Sequence, residues 1–195
     1  MAAVDNQRSG DKRGADGNRL SLAEWLLLSL VREEPTYGRV LAGLLDRGSS
    51  LGQIWYVPKS TVYRDLQELE LLGLVRTAGK QASQGGPART LFEATPAGRA
   101  AARAWLNTPV EHARDVRSEL MVKLALLDRT GSDCRVLVQD QLARLLPVAA
   151  VLDDQLRAAT GFERTLILWR HKLMSATMRF LEDLTAGSGS PPDSC

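Results

Sequence analysis

Apolar positions along the chain recur at helical spacing in most segments and at strand spacing in one. Leu22 to Arg32 is apolar on most sides, which predicts a buried helix. Ser21 stands before it as a cap, with Glu24 three residues on as the capping-box partner. Glu34-Pro35 ends that helix. Thr36 is then expected to cap a second helix, Tyr37 to Asp46, with Val40, Leu41, Leu44 and Leu45 on one face. Gly48 to Gly52 reads as a turn. A third helix opens at Pro58 and carries the stripe Val62, Leu66, Leu69 and Leu72 or Gly73, where it stops.

Leu74 to Thr77 and Thr90 to Ala94 read as short strands. Gly79 to Ala88 holds three Gly and one Pro, so a hairpin with a long flexible tip is expected. Thr95-Pro96 opens a helix through Trp105, with Thr95 as cap and Pro96 in its first turn.

Beyond residue 110 every signal is helical. Val116, Leu120, Leu124 and Leu127 share a face, and Gly131-Ser132-Asp133 makes a turn. Val138, Leu142, Leu145, Ala149, Leu152 and Leu156 then repeat like a coiled-coil seam, with Pro147 expected to kink it. Phe162, Leu166, Trp169, Leu173, Ala176 and Phe180 repeat the same spacing in the last helix. Two narrow seams cannot form a full core alone and need each other or a second copy. A homodimer is expected, with Leu142, Leu145, Leu152, Leu166 and Leu173 in its contacts. The expected division is an arm without order at 1–18, a first domain at 19–108, a helical dimerisation domain at 109–185 and a tail without order at 186–195.

The order helix, helix, turn, helix, hairpin makes the fold mainly α (α+β): a winged helix-turn-helix with a two-stranded β-wing, then a helical dimerisation domain. The third helix carries the chemistry. With Val62 and Leu66 facing the core, Lys59, Ser60, Thr61, Tyr63 and Arg64 remain outside, supplying cations and hydroxyls near a helix N-terminus. A recognition helix presents that half to the major groove.

Charge sharpens this picture by its distribution. The net formal charge is only +2, but residues 19–100 hold ten Lys/Arg against eight Asp/Glu, while the segments on either side balance. Arg76 to Phe92 has Arg76, Lys80 and Arg89 and no acid. Lys80 and Arg89 are therefore candidate phosphate contacts on the wing.

No nucleophile–base set, phosphate-cradling Gly loop or Cys/His cluster is present, so an enzyme, a cofactor and a metal site are not expected. A winged helix that binds protein instead of DNA is the other alternative, against which the acid-free wing argues. No apolar run is long enough to span a bilayer, and residues 1–18 do not read as a signal peptide. The two cysteines, Cys134 and Cys195, are not expected to form a structural disulfide; Cys134 reads as an inert buried thiol in a reducing compartment, the cytoplasm. His112 and His171 read as surface or cap residues. Trp25, Trp55, Trp105 and Trp169 are core fillers or ligand-stacking residues.

These motifs resemble the PadR family of transcriptional regulators. The resemblance lies in Pro35-Thr36-Tyr37-Gly38-Arg39, in Val62-Tyr63-Arg64-Asp65-Leu66 through Gly73-Leu74-Val75, in Gly86-Pro87-Ala88-Arg89 and in Thr95-Pro96-Ala97-Gly98. Gly52-Gln53-Ile54-Trp55 and Arg117 to Leu124 are similar to a branch of the family. Arg39 departs from it, since an aromatic is usual there. The resemblance implies a repressor of double-stranded DNA, bound at a palindromic operator by a dimer clamped through C-terminal helices. It also implies that Tyr63 and Arg89 approach the DNA backbone. In some members a phenolic or drug-like ligand sits near the dimer interface; Trp169, Met121 and Leu173 are the candidates here for a small aromatic effector.

Overall fold

The structure is a computed structural model that describes residues 20–83 and 86–187. The arm expected at 1–18 lies outside these residues, and so does the tail expected at 186–195 apart from its first two residues, which end the final helix. The chain forms two compact units, and the division between Ala102 and Arg103 falls inside a helix.

In the first unit, α1 (Leu22–Glu33) starts at a capping box: the Ser21 hydroxyl accepts from the Glu24 amide at 3.2 Å, and the Ser21 amide donates to the Glu24 carboxylate at 2.6 Å. Leu26, Leu27, Leu28, Leu30 and Val31 are buried, as a helix apolar on most sides requires. Thr36 and Tyr37 do not begin a helix. They form β1, a two-residue strand, and α2 (Gly38–Leu44) follows with no side-chain cap. The expected cap at Thr36 gives way because its backbone finds partners in the wing, where Thr36 lies opposite Phe92 and Tyr37 opposite Leu91.

The expected turn at Gly48 to Gly52 is partly helical. Ser49 caps α3 (Ser50–Ile54) by accepting from the Gly52 amide at 2.9 Å. Then α4 (Lys59–Leu71) follows Pro58 and buries Val62, Leu66 and Leu69. Leu72 stays half outside, because the helix is already closing on Gly73, whose φ of +68° ends it.

The wing is longer than its local sequence suggested. β2 (Val75–Ser83) and β3 (Gly86–Ala94) pair antiparallel almost to the tip, in a three-stranded sheet of order β1-β3-β2. Ladder hydrogen bonds between the strands outweigh the weak strand preference of Gly79 and Pro87. The mismatch is absorbed as register irregularities between Thr77 and Gly79 and between Gln81 and Ser83. α5 (Pro96–Leu106) starts as expected at Thr95, whose hydroxyl accepts from the Gly98 amide at 3.0 Å and donates to the Gly73 carbonyl at 2.7 Å.

The second unit begins within α5. A 3-10 turn (Ala113–Asp115) and a π-helical turn (Val116–Leu120) lead into α6 (Met121–Arg129). Val116, Leu120, Leu124 and Leu127 are all buried. Lys123 is buried too, at 1% exposure. Its ammonium lies 2.8 Å from Glu119, donates to the Thr108 carbonyl at 2.7 Å and stands 4.8 Å from the centre of the Trp105 ring. The Trp105 indole donates to Glu119 at 3.0 Å, which closes the network.

α7 (Arg135–Ala158) runs through Pro147 and pairs with α8 (Gly161–Gly187). On α7 the expected seam faces inward: Val138, Leu145 and Leu152 are buried, and Leu142, Ala149 and Leu156 are half-buried. On α8 the face differs from the expected one. Ile167, Met174, Met178 and Leu181 are buried, while Phe162, Leu166, Trp169 and Leu173 remain outside. Cys134, buried ahead of α7, is disulfide-bonded, which corrects the expectation of an inert thiol. The other cysteine of the sequence, Cys195, lies outside the described residues.

Candidate DNA-binding surface

The buried stripe of α4 decides what its outer face offers. Because Val62, Asp65, Leu66 and Leu69 point inward, Lys59, Ser60, Tyr63 and Arg64 are exposed and Thr61 is half-buried on the first two turns. Pro58 supplies no side-chain cap, so the first turn carries no competing side-chain acceptor at its start.

Two of these side chains are held in place. Arg64 donates from Nε and Nη2 to the same Asp65 oxygen, at 2.9 and 2.8 Å. Asp65 is buried at 1% exposure and anchors the guanidinium beside it. Tyr63, 39% exposed, rests its ring on the start of α2 at Gly38. Sequence reasoning missed both restraints, although the adjacency of Arg64 and Asp65 was a signal that could have found the first.

The wing stands beside this face through the contacts of β2 with α4. Thr77 donates from its amide and its hydroxyl to Glu70, at 3.0 and 2.8 Å, so an α4 carboxylate fixes the root of the wing. Arg76 is paired with Glu93 at 3.0 Å. Lys80 lies on β2 opposite Thr90, and Arg89 on β3 opposite Gln81; their side chains lie outside what the structure describes.

The candidate ligand residues are not gathered in one described cavity. Trp169 and Leu173 are exposed on α8, and Met121 is half-buried at the start of α6. α7 and α8 border an open cleft of about 380 Å³ lined by Asp153, His171, Met174, Ser175, Met178 and Arg179 among others, and none of the three candidates lines it. His171 Nε2 and an Asp153 oxygen lie 2.7 Å apart there. Among the described residues, no cluster of three or more His, Cys, Asp or Glu has metal-binding geometry, and no helix is long and apolar enough to cross a membrane.

Comparison with known proteins bears on the first unit most directly. The model of the transcriptional regulator PadR-like family matches residues 27–104. No curated protein matches the chain. Among solved structures, the chain is similar to Bacillus subtilis PadR in complex with operator DNA, at 19% identity and a TM-score of 0.43, over 84% of this chain and 96% of that one. It is similar to smu.1604c from Streptococcus mutans UA159 at 16% identity and a TM-score of 0.41, over 84% and 98%. The PadR-like transcriptional regulator BC1756 from Bacillus cereus aligns at 18% identity and a TM-score of 0.37, over 85% and 96%. The segment that matches the PadR-like family of transcriptional regulators runs from within α1 to within α5 and contains α4 and the whole wing.

Proposed function

We propose that this chain is a sequence-specific repressor that binds a palindromic operator in double-stranded DNA as a homodimer. The observation that carries this reading is the outer face of α4. Lys59, Ser60, Tyr63 and Arg64 are exposed directly above a buried Val62-Leu66-Leu69 stripe, next to the wing. Ser60, Thr61 and Arg64 read base edges in the major groove, Tyr63 and Lys59 touch the backbone, and Lys80 and Arg89 hold phosphates from the wing. In this reading residues 19–108 are the DNA-binding half and residues 109–185 the dimerising half. No residue has a catalytic role.

The dimer reading is supported by α8. Phe162, Leu166, Trp169 and Leu173 are 82, 48, 61 and 51% exposed and follow one stripe of the helix. A second copy of the chain is the occupant that covers this stripe. Leu166 and Leu173 then lie in the interface, and Leu142, Leu145 and Leu152 support it from within the α7–α8 pair. An aromatic effector would enter where Trp169 and Leu173 meet the partner, with Met121 as a further wall. It relieves repression only by binding the DNA-incompetent arrangement more tightly. We place the protein in the cytoplasm with its DNA.

A gel-shift titration of the full chain against the DNA upstream of its own gene and an unrelated duplex tests the reading. Preferential binding of the upstream duplex as a protein dimer is expected. Equal affinity for both duplexes would remove the claim of sequence specificity, and no binding to either would remove the DNA reading.

A further inference from the structure

Between α2 and the first turn of α4 lies an open cleft of about 400 Å³, lined by Arg39, Asp46, Tyr56 and Lys59 around Ala42 and Gly43. The small residues at 42 and 43 share a face of α2 with Arg39 and leave the space open. Arg39 and Lys59 are both exposed, and neither side chain forms a hydrogen bond or ion pair among the described residues. Two such cations lining one cleft raise the local positive potential. A third cation stands next to them: the Arg47 guanidinium lies 4.3 Å from the centre of the Tyr56 ring. Asp46 is the one acid on the lining.

We infer that this cleft seats a backbone phosphate of the bound DNA, with Arg39 and Lys59 as its cationic walls. The inference rests on the DNA-binding reading and extends it to Arg39, Tyr56 and Arg47. Lys59 is the first residue of α4, so a duplex that meets Ser60, Tyr63 and Arg64 carries a sugar-phosphate strand past Lys59 and along this cleft. A phosphodiester matches the site: it is a compact monoanion whose two free oxygens suit a guanidinium fork on one side and an ammonium on the other. The contact is blind to sequence, because both cations meet phosphate oxygens instead of base edges.

The test is fluorescence anisotropy of the full chain on operator and unrelated duplexes over a salt series. Arg39→Ala should weaken binding to both duplexes by a similar factor, roughly tenfold. It should also flatten the salt dependence by about one ion per protomer. Arg39→Lys should keep most of the salt dependence. Asp46→Asn should shift affinity the other way and tighten both complexes. These positions are exposed, so melting curves should match those of the wild type. Unchanged affinity and salt slope in Arg39→Ala would overturn the inference, as would a loss confined to the operator, which would make Arg39 a base reader. A wild-type chain that binds neither duplex would instead overturn the underlying DNA reading, and the inference with it.

Discussion

The ring of Tyr63 lies so close to Gly38 that a Cβ on Gly38 would sit 2.7 Å from Cε1 and 3.3 Å from Cδ1 and Cζ. Gly38 opens α2, where alanine is intrinsically favoured by about 1 kcal/mol, so the space taken by the ring is the physical reason for glycine. The motif at Pro35 to Arg39 and the motif that opens at Val62 are thus in contact through this pair. Gly38→Ala is expected to displace the ring and weaken DNA binding several-fold, while thermal stability moves by no more than about 1 kcal/mol. In a Tyr63→Ala background the same change should have no further effect on affinity. A double-mutant cycle in operator affinity with zero coupling between positions 38 and 63 would reject this relationship.

Arg64 has two roles that a single substitution confuses. Its guanidinium is 55% exposed yet donates twice to a buried Asp65 oxygen. Arg64→Ala should therefore lower the unfolding free energy by about 1 kcal/mol, a figure discounted for the solvent around the arginine. Arg64→Ala combined with Asp65→Asn should recover most of that loss. Both variants should relax the preference at one operator position, by roughly 1–3 kcal/mol. Recovery of sequence preference in the double variant would mean that Arg64 acts only through Asp65.

The two faces of the helical hairpin should separate on substitution. Leu145 is buried on α7, whereas Leu173 is 51% exposed on α8. Leu173→Glu is expected to leave the helical content intact and yield monomers that lose operator affinity. Leu145→Glu buries an unpaired carboxylate and should cost at least several kcal/mol, visible as lost helicity. Sedimentation and circular dichroism distinguish these outcomes. A Leu173→Glu chain that remains a dimer would place the interface elsewhere.

The Lys123 network should be costly to break. Lys123→Met leaves the Thr108 carbonyl and the Glu119 carboxylate without their cation, a loss of roughly 2–4 kcal/mol in denaturant unfolding. Lys123→Arg should not restore stability, since a planar guanidinium cannot take the ammonium's place in a filled site without strain. A Lys123→Met chain as stable as the wild type would show that the network contributes no net stability.

On the wing, Lys80→Ala and Arg89→Ala should weaken binding to all sequences alike and flatten the salt dependence, because cations on a hairpin meet phosphates. Thr61→Ala should instead change the preference at one base pair. The reverse pattern, in operator and unrelated duplexes compared side by side, would exchange the roles of wing and helix.

The local sequence alone determined the caps at Ser21 and Thr95, the extent of α4 and its outward residues, and the inward seam of α7. Each depends on contacts within a few residues or on a helical period, and both are written locally. Only tertiary structure decided the rest. Thr36 and Tyr37 became a strand, and Gly79 to Ser83 stayed paired, because their partners lie far along the chain and ladder bonds outweigh local preference. Lys123 is buried because the fold brings Thr108, Glu119 and Trp105 around it, which no hydropathy pattern encodes. The last helix makes the same point most plainly. It carries two apolar stripes, Phe162-Leu166-Trp169-Leu173 and Ile167-Met174-Met178-Leu181, and periodicity marks each as a face to be covered without saying by what. Packing against α7 gave the second stripe to this chain's own core and left the first exposed, since one helix can turn only one of its faces toward a single neighbour.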